Sequence, residues 1–302
     1  MTLRRNIFSY IMVAPALLLV LALGVYPMLG SLRLAMVQYD LMRLDTEGSP
    51  FVGFANFRTI FDDPRFLGAF INTILFAVIS VGSVTLLGLL IAQVLNMNIR
   101  GRGALRSLVL VPWVIPPVVA SAIWMWVFQP ERSPINQVLK ALGLIDSNIK
   151  FLTDATHTLG PLSIPMLSVS AVRIWGGLPF VTVMILAGLQ SIPHSVIEAA
   201  TIDGASPWKR FWTIVFPLLS PTTFFLLVIN IIYAFFDTFA VVDATTHGGP
   251  GKETAILVYK VYYDGFKALD MGGSAAQSVI LMLIVIALTV VQFRFVEKKV
   301  QY

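Results

Sequence analysis

The chain has 302 residues, of which 57% are hydrophobic and 12% charged, with a formal net charge of +5 and no cysteine. Soluble domains carry about 25% charged residues, so this chain has too little polar surface to cover a folded body of its size in water, and lipid is the natural second solvent. The lack of cysteine excludes disulfides, thiolate metal sites and thiol nucleophiles, and His157, His194 and His247 lie too far apart for a local metal-ligand pattern.

Apolar stretches of about 20 residues can cross the hydrocarbon core. Six are legible, at Ile7–Leu32, Leu67–Leu95, Leu105–Phe128, Leu159–Leu189, Leu218–Val242 and Ala275–Phe295. The expected fold is therefore all-α, a polytopic membrane protein of six transmembrane helices forming a single domain over residues 1–302. The first stretch follows Arg4 and Arg5 as a signal peptide would. Its apolar core is too long for one, Pro15 lies inside it, and no A-x-A cleavage pattern follows, so it reads as an uncleaved span.

With the N-terminus in the cytoplasm, the inner pieces carry Arg4, Arg5, Arg100, Arg102, Lys209, Arg210, Lys298 and Lys299, with Arg106 and Arg294 at their edges. Glu198, Asp203 and Glu297 are the acids that accompany them. The outer loops, 39–65, 129–158 and 243–273, are longer and hold most of the acidic residues. The density of Lys and Arg near helix ends favours cytoplasmic N- and C-termini. The basic excess then reports topology, and no nucleic-acid partner is expected. In the outer loops Pro134–Leu144 has helical spacing. Ala255–Phe266 is amphipathic, and its Tyr259, Tyr262 and Tyr263 suit either interfacial anchoring or a surface for an external partner.

A P-loop needs G-x4-G-K-[ST], so that backbone N–H groups and the lysine cradle phosphates. The nearest segment, Gly248–Glu253, has Thr246 in place of the first glycine and Glu253 after Lys252. No G-x-S-x-G or H-E-x-x-H pattern appears. The chain is thus expected not to be an enzyme, and to hold no metal or other cofactor.

Polar groups within lipid are costly, and their default reading is functional. Asn230, Tyr233 and Asp237 stand at i, i+3 and i+7 on one expected helical face, a candidate solute path. Arg173 in the fourth span and Asp237 in the fifth either neutralise each other, or leave the guanidinium free to bind an anionic group through paired donors. Asn72, Trp124 and Gln277 join the same candidate path, although Asn72, like Ser80, also suits hydrogen bonding between helices. Pro112, Pro116 and Pro117 are expected to interrupt the third span, and Gly176-Gly177 with Pro179 the fourth.

The inner connection, residues 190–217, is long. Pro193 suits a helix start and Asp203-Gly204 a stop, while Ser206 suits an N-cap with Pro207 at the first position of a second helix. A helix–turn–helix at the membrane surface results, with Ala199 and Ala200 leaving a low face for close approach. Glu198, Ala199, Ala200, Gly204, Ile214 and Pro217 match the spacing E-A-A-x3-G-x9-I-x-L-P, with Phe216 in place of the leucine. The segment thereby resembles the EAA loop of ABC-importer permeases. Phe51–Phe57 (FVGFANF) and Ile192–Ala205 resemble the carbohydrate-uptake branch. From Asn230 onward, YAFFDTF, GGP, SAAQSV and VVQFRFVEKKVQY resemble the first permease subunit of sn-glycerol-3-phosphate importers, whereas Val172–Gln190 reads more like general sugar permeases.

The resemblance implies a type I ABC importer permease fold in a bacterial inner membrane. It implies as partners a second homologous permease, two ATPase subunits that hold the ATP and magnesium, and a periplasmic or extracellular solute-binding protein. Glu198, Ala199, Ala200, Asp203 and Gly204 become ATPase-coupling residues. The solute implied is a sugar, a glycosyl-glycerol, an anionic sugar derivative or sn-glycerol-3-phosphate. An ion-coupled secondary carrier using Asp237 is the alternative left open by the residues themselves.

Overall fold

The computed structural model describes residues 2–42, 49–154, 156, 158–159 and 161–296. His157, Glu297, Lys298 and Lys299, and the last part of the C-terminal segment cited above, lie outside them. The chain divides into two compact units, Met1–Phe66 with Lys260–Ile284, and Leu67–Tyr259 with Val285–Tyr302.

The elements, in chain order, are α1 (Thr2–Val20), α2 (Tyr26–Leu34), α3 (Ala55–Asp62), α4 (Pro64–Asn96), α5 (Arg102–Val114), α6 (Pro117–Val127) and α7 (Pro134–Ala141). A two-residue hairpin, β1 (Thr158–Leu159) and β2 (Leu162–Ser163), precedes α8 (Ile164–Ser191). Then come α9 (His194–Ile202), α10 (Pro207–Arg210), α11 (Phe216–Leu218), α12 (Ser220–Phe236), α13 (Phe239–Thr245), α14 (Leu257–Tyr262) and α15 (Met271–Val291). Four helical runs are long and apolar enough to span a membrane, Tyr10–Leu34, Pro64–Asn96, Ile164–Ser191 and Met271–Arg294, and six do if each of two bent pairs counts as one span.

The bent pairs depart from simple spans. Arg102–Val114 and Pro117–Val127 meet at 101°. Ile115 and Pro116 are extended there, and Pro117 opens the second helix, because a proline N1 needs no N–H and disfavours a helical residue before it. Neither half alone reaches the length a span needs. The expected fifth span also ends early. α12 stops at Phe236, Asp237 and Thr238 form a turn, and α13 resumes at Phe239. Conversely, the break expected at Gly176-Gly177 and Pro179 does not form: α8 runs unbroken through all three. Ser163 caps that helix by accepting from the Met166 N–H, and Pro165 sits in its first turn.

The larger unit is built on a shared core of α4, α8 and α12, with Val84, Ala92, Leu95, Val181, Ile185, Leu186 and Leu226 buried together with Leu219. Lipid gives helices no hydrophobic reason to associate, so close packing must do it. Gly88 supplies the closest approach: a Cβ there would stand 2.7 Å from Val181 Cγ1 and 3.4 Å from the Thr182 backbone nitrogen. Polar side chains in the spans mostly bond backbone. Ser80 donates to the Phe76 carbonyl and Ser170 to that of Met166, each one turn back in its own helix, so the interhelical bond expected of Ser80 does not form.

In the smaller unit, the segment around Tyr39 is tied to residues 269–272. Met271 and Gly272 donate to the Tyr39 carbonyl and Leu41 donates to that of Leu269. Asn56 of α3 donates to the carbonyls of Ala35 and Val37, closing the turn after α2.

Candidate functional site: a cationic cavity and a capped elbow

The 101° bend opens a cavity of about 320 Å³ in the larger unit. Pro112, Trp113, Ile115 and Pro117 come from the bend, Arg173, Gly177 and Phe180 from α8, and Asn230, Tyr233 and Asp237 from α12 and the turn after it. Four of the seven proposed path residues therefore meet, Arg173, Asn230, Tyr233 and Asp237. Asn230 is 2% exposed and donates to the Leu226 carbonyl of its own helix. Tyr233 and Asp237 are exposed to the opening.

Arg173 is the one cation on this wall. Its guanidinium carbon stands 6.0 Å from the Tyr233 ring centroid, and its end folds over Gly177 one turn further on, where any side chain would displace it. Arg173 Nε is buried without a hydrogen-bond partner, and no Arg173–Asp237 ion pair within 4.0 Å forms among the described residues. A guanidinium with a free donor, near a carboxylate that it does not bond directly, offers donors and acceptors to a solute that carries both acceptors and hydroxyls.

The other three path residues lie elsewhere. Asn72 donates to the carbonyls of Lys252 and Ala255 and pins that loop to α4; Thr73 beside it accepts from the Leu257 N–H. Trp124 packs on Phe128 and Trp175, with ring centroids 5.1 and 5.9 Å away. Gln277 belongs to the smaller unit, 4% exposed, and donates to Asp264. It joins a partly buried ionic cluster that periodicity did not reveal. Lys260 sits between Asp63, at 3.1 Å, and Asp264, while Asp63 also takes Arg65 Nε at 2.9 Å. The available signal was Lys260 alone within the apolar run around it. Burial disfavours the charged form of Asp63, but hydrogen bonds from the Arg65 side chain and backbone and from Lys260 outweigh it and hold this carboxyl at about 2. Trp113 and Phe180, whose centroids are 6.0 Å apart, also line the Arg173 cavity unforeseen; the paired prolines were the clue to that wall.

The elbow of residues 190–217 takes the form its capping residues dictate. α9 ends at Asp203 as its C-cap, and Gly204 follows with φ of +75°, a conformation glycine adopts without a Cβ penalty. The Ala205 N–H donates to the Ala200 carbonyl, closing the helix end. Ser206 then caps the second limb by accepting from the Lys209 N–H, with Pro207 in its first turn. Arg210 donates to Thr201 and ties the two limbs together. Glu198, Ala199, Asp203 and Gly204 face outward, while Ala200 is 6% exposed. Behind α9 lies a second cavity, about 450 Å³, lined in part by Asn98, Arg102, Gln190 and His194.

The family of binding-protein-dependent transport system inner membrane components matches residues 84–302, and the chain belongs to that family. The sn-glycerol-3-phosphate transport system permease protein UgpA of Agrobacterium fabrum is 43% identical over 298 residues, covering 99% of this chain and 97% of the relative. Its counterpart in Pectobacterium atrosepticum is 40% identical over 301 residues, covering 99% and 97%. A permease chain from the crystal structure of a bacterial alginate ABC transporter, in complex with an alginate pentasaccharide-bound periplasmic protein, superposes with a TM-score of 0.78 at 22% identity, over 96% of this chain and 94% of that one. A second structure of an ABC transporter that imports alginate gives 0.76 at 24% identity, over 97% and 98%. The fold is that of type I ABC importer permeases, and the chain is a multi-pass inner-membrane component.

Proposed function

We propose that the chain is one membrane-spanning subunit of an importer for an anionic, polyhydroxylated solute, with sn-glycerol-3-phosphate or an anionic sugar derivative as the solute class. The observation that carries this reading is Arg173, half-buried with its Nε shut off from solvent, making no direct ion pair with Asp237 and facing a cavity with Asn230 and Tyr233. Relatives named for sn-glycerol-3-phosphate transport, alike over nearly the whole chain, support the same class.

The whole chain acts as one permease domain beside a second homologous permease, two ATPase subunits and an external solute-binding protein. No P-loop is present in the sequence, so ATP and magnesium belong to the partners. The elbow at Glu198, Ala199, Ala200, Asp203 and Gly204 receives the movement of the closing ATPase, and both chain termini are cytoplasmic. Solute, delivered from outside, enters the cavity when the helices switch, and nucleotide state biases that switch from a distance. Arg173 holds the anion, while Asp237 and Tyr233 accept and donate to hydroxyls.

The test is uptake by the reconstituted assembly. Arg173→Ala is expected to cut transport of glycerol phosphate by about 10-fold or more, the order of one lost charge-assisted bond, and to leave a neutral polyol little changed. Equal losses for both solutes would reassign Arg173 to a purely structural role.

A further inference from the structure

Arg173 takes an unusual course along its own helix. A long side chain on an α-helix leans back towards the turn before it, because each Cα–Cβ bond tilts towards the N-terminus. Arg173 lies instead over the turn after it: a Cβ built on Gly177 would run into its Nη1 and stand 3.6 Å from its Cζ. The guanidinium thus fills the space that a side chain at 177 would occupy. Val84 Cγ2 of α4, 3.4 Å from the same point, leaves no slack on that side. Gly177 lies inside the unbroken helix α8 and its φ is not positive, so alanine would suit the backbone there better. What the position supplies is the missing side chain.

Helix direction decides what this achieves. Near the end of α8, a Cβ on Gly188 would stand 2.9 Å from Leu219 Cδ2 and 3.0 Å from Thr222 Oγ1, at the start of α12. Earlier in α8, Arg173 meets Tyr233, late in α12. The two helices therefore run antiparallel, and moving back along α8 from Gly177 corresponds to moving along α12 from Tyr233 to Asp237. In its present place the guanidinium faces the Tyr233 ring, 6.0 Å from the centroid, which eases a positive charge without using its N–H donors. A guanidinium swung back to the ordinary lean moves towards Asp237, which attracts it already from beyond ion-pair distance. There its planar fork of donors meets a carboxylate. We propose that Gly177 is a positioning residue that sets the charge selectivity of the cavity: its bare turn holds the Arg173 guanidinium beside Tyr233, out of contact with Asp237, and leaves the donors to an anionic solute. With a side chain at 177, Arg173 and Asp237 neutralise each other and the cavity loses its preference for anions. The inference rests on Arg173 being the group that holds the anion, as proposed above.

The experiment uses the full chain with its partner permease and ATPase subunits in nanodiscs, without nucleotide or solute-binding protein. Binding of sn-glycerol-3-phosphate is read by ligand-detected NMR. Gly177→Ala is expected to weaken it about 10-fold, the order of one lost charge-assisted contact. Adding Asp237→Asn to Gly177→Ala removes the competing carboxylate and is expected to recover most of that loss, whereas adding it to Arg173→Ala recovers little. Parent affinity in Gly177→Ala overturns the proposal. So does a loss that Asp237→Asn does not recover, which assigns it to a distorted α8. An equal gain from Asp237→Asn in both backgrounds also overturns it, since the carboxylate then acts on the solute and not on Arg173. Gly177→Ser adds the same Cβ and takes the place of Gly177→Ala if that variant does not insert. Parent affinity in Arg173→Ala overturns the anion-site reading itself, whereas a loss there with Gly177→Ala unaffected sinks only the role of Gly177, so the two failures are separable.

Discussion

At the scale of single residues, buried charge sorts into two kinds. Lys260 lies between Asp63 and Asp264 and is 7% exposed, so its charge is compensated and its role is to hold the turn before α4 to α14. Arg173 makes no side-chain ion pair within 4.0 Å among the described residues and keeps an unbonded Nε, and the proposed ligand role rests on that. The Asp63 carboxyl is held at about 2 from an ordinary value of 3.8, so the unfolded chain binds this proton more readily than the folded one. Stability from this group is complete above about 4 and is lost as pH falls towards 2. Thermal unfolding followed between pH 5 and 2 is expected to show that loss, and Asp63→Asn to flatten it. None of this partnership is legible in sequence, because Asp63 and Lys260 are separated by most of the chain. Arg173 was legible, since an arginine within an apolar run stands out by itself.

At the scale of elements, capping and packing decide shape. The elbow was readable almost to the residue, because Pro193, Asp203-Gly204, Ser206 and Pro207 are local signals whose effects do not depend on the rest of the fold. Gly204→Val forces a β-branched side chain into φ of +75°, at a cost of about 1–2 kcal/mol or more. Co-purification with the ATPase and uptake are expected to fall together in that variant, with membrane insertion retained. Gly88→Leu is the corresponding test of packing. It pushes α4 off Val181 and is expected to lower the unfolding midpoint in detergent by an amount worth about 1–3 kcal/mol, while Gly82→Ala, which meets nothing within 4 Å, leaves the midpoint near that of the parent chain. Prolines were the less dependable guide. Pro116-Pro117 breaks its helix by 101°, yet Pro179 is accommodated inside α8. The outcome depends on whether neighbours satisfy the freed carbonyl, and a neighbour is a tertiary fact.

At the scale of the whole molecule, the first span is telling. Tyr10–Leu34 has none of its most apolar window buried inside the chain, whereas half of the corresponding window of Ile164–Ser191 is buried. A helix so bare needs lipid or another subunit around it. That bareness fits a chain whose family is an inner membrane component of a larger transport system. Reconstituted alone in vesicles it is expected to show no accumulation of solute against a gradient, with or without ATP. Accumulation appearing only when a P-loop ATPase, a second permease and a solute-binding protein are added would complete that test.

Composition and periodicity alone determined that this chain belongs in lipid, that it is helical, and that a capped elbow interrupts its spans; all three rest on effects within a turn or two of the chain. Tertiary structure alone decided that Arg173 meets Asn230, Tyr233 and Asp237 while Asn72, Trp124 and Gln277 do not. Helical spacing places residues on a face of their own helix, but which face turns to which neighbour is settled by close packing, at points such as Gly88 against Val181.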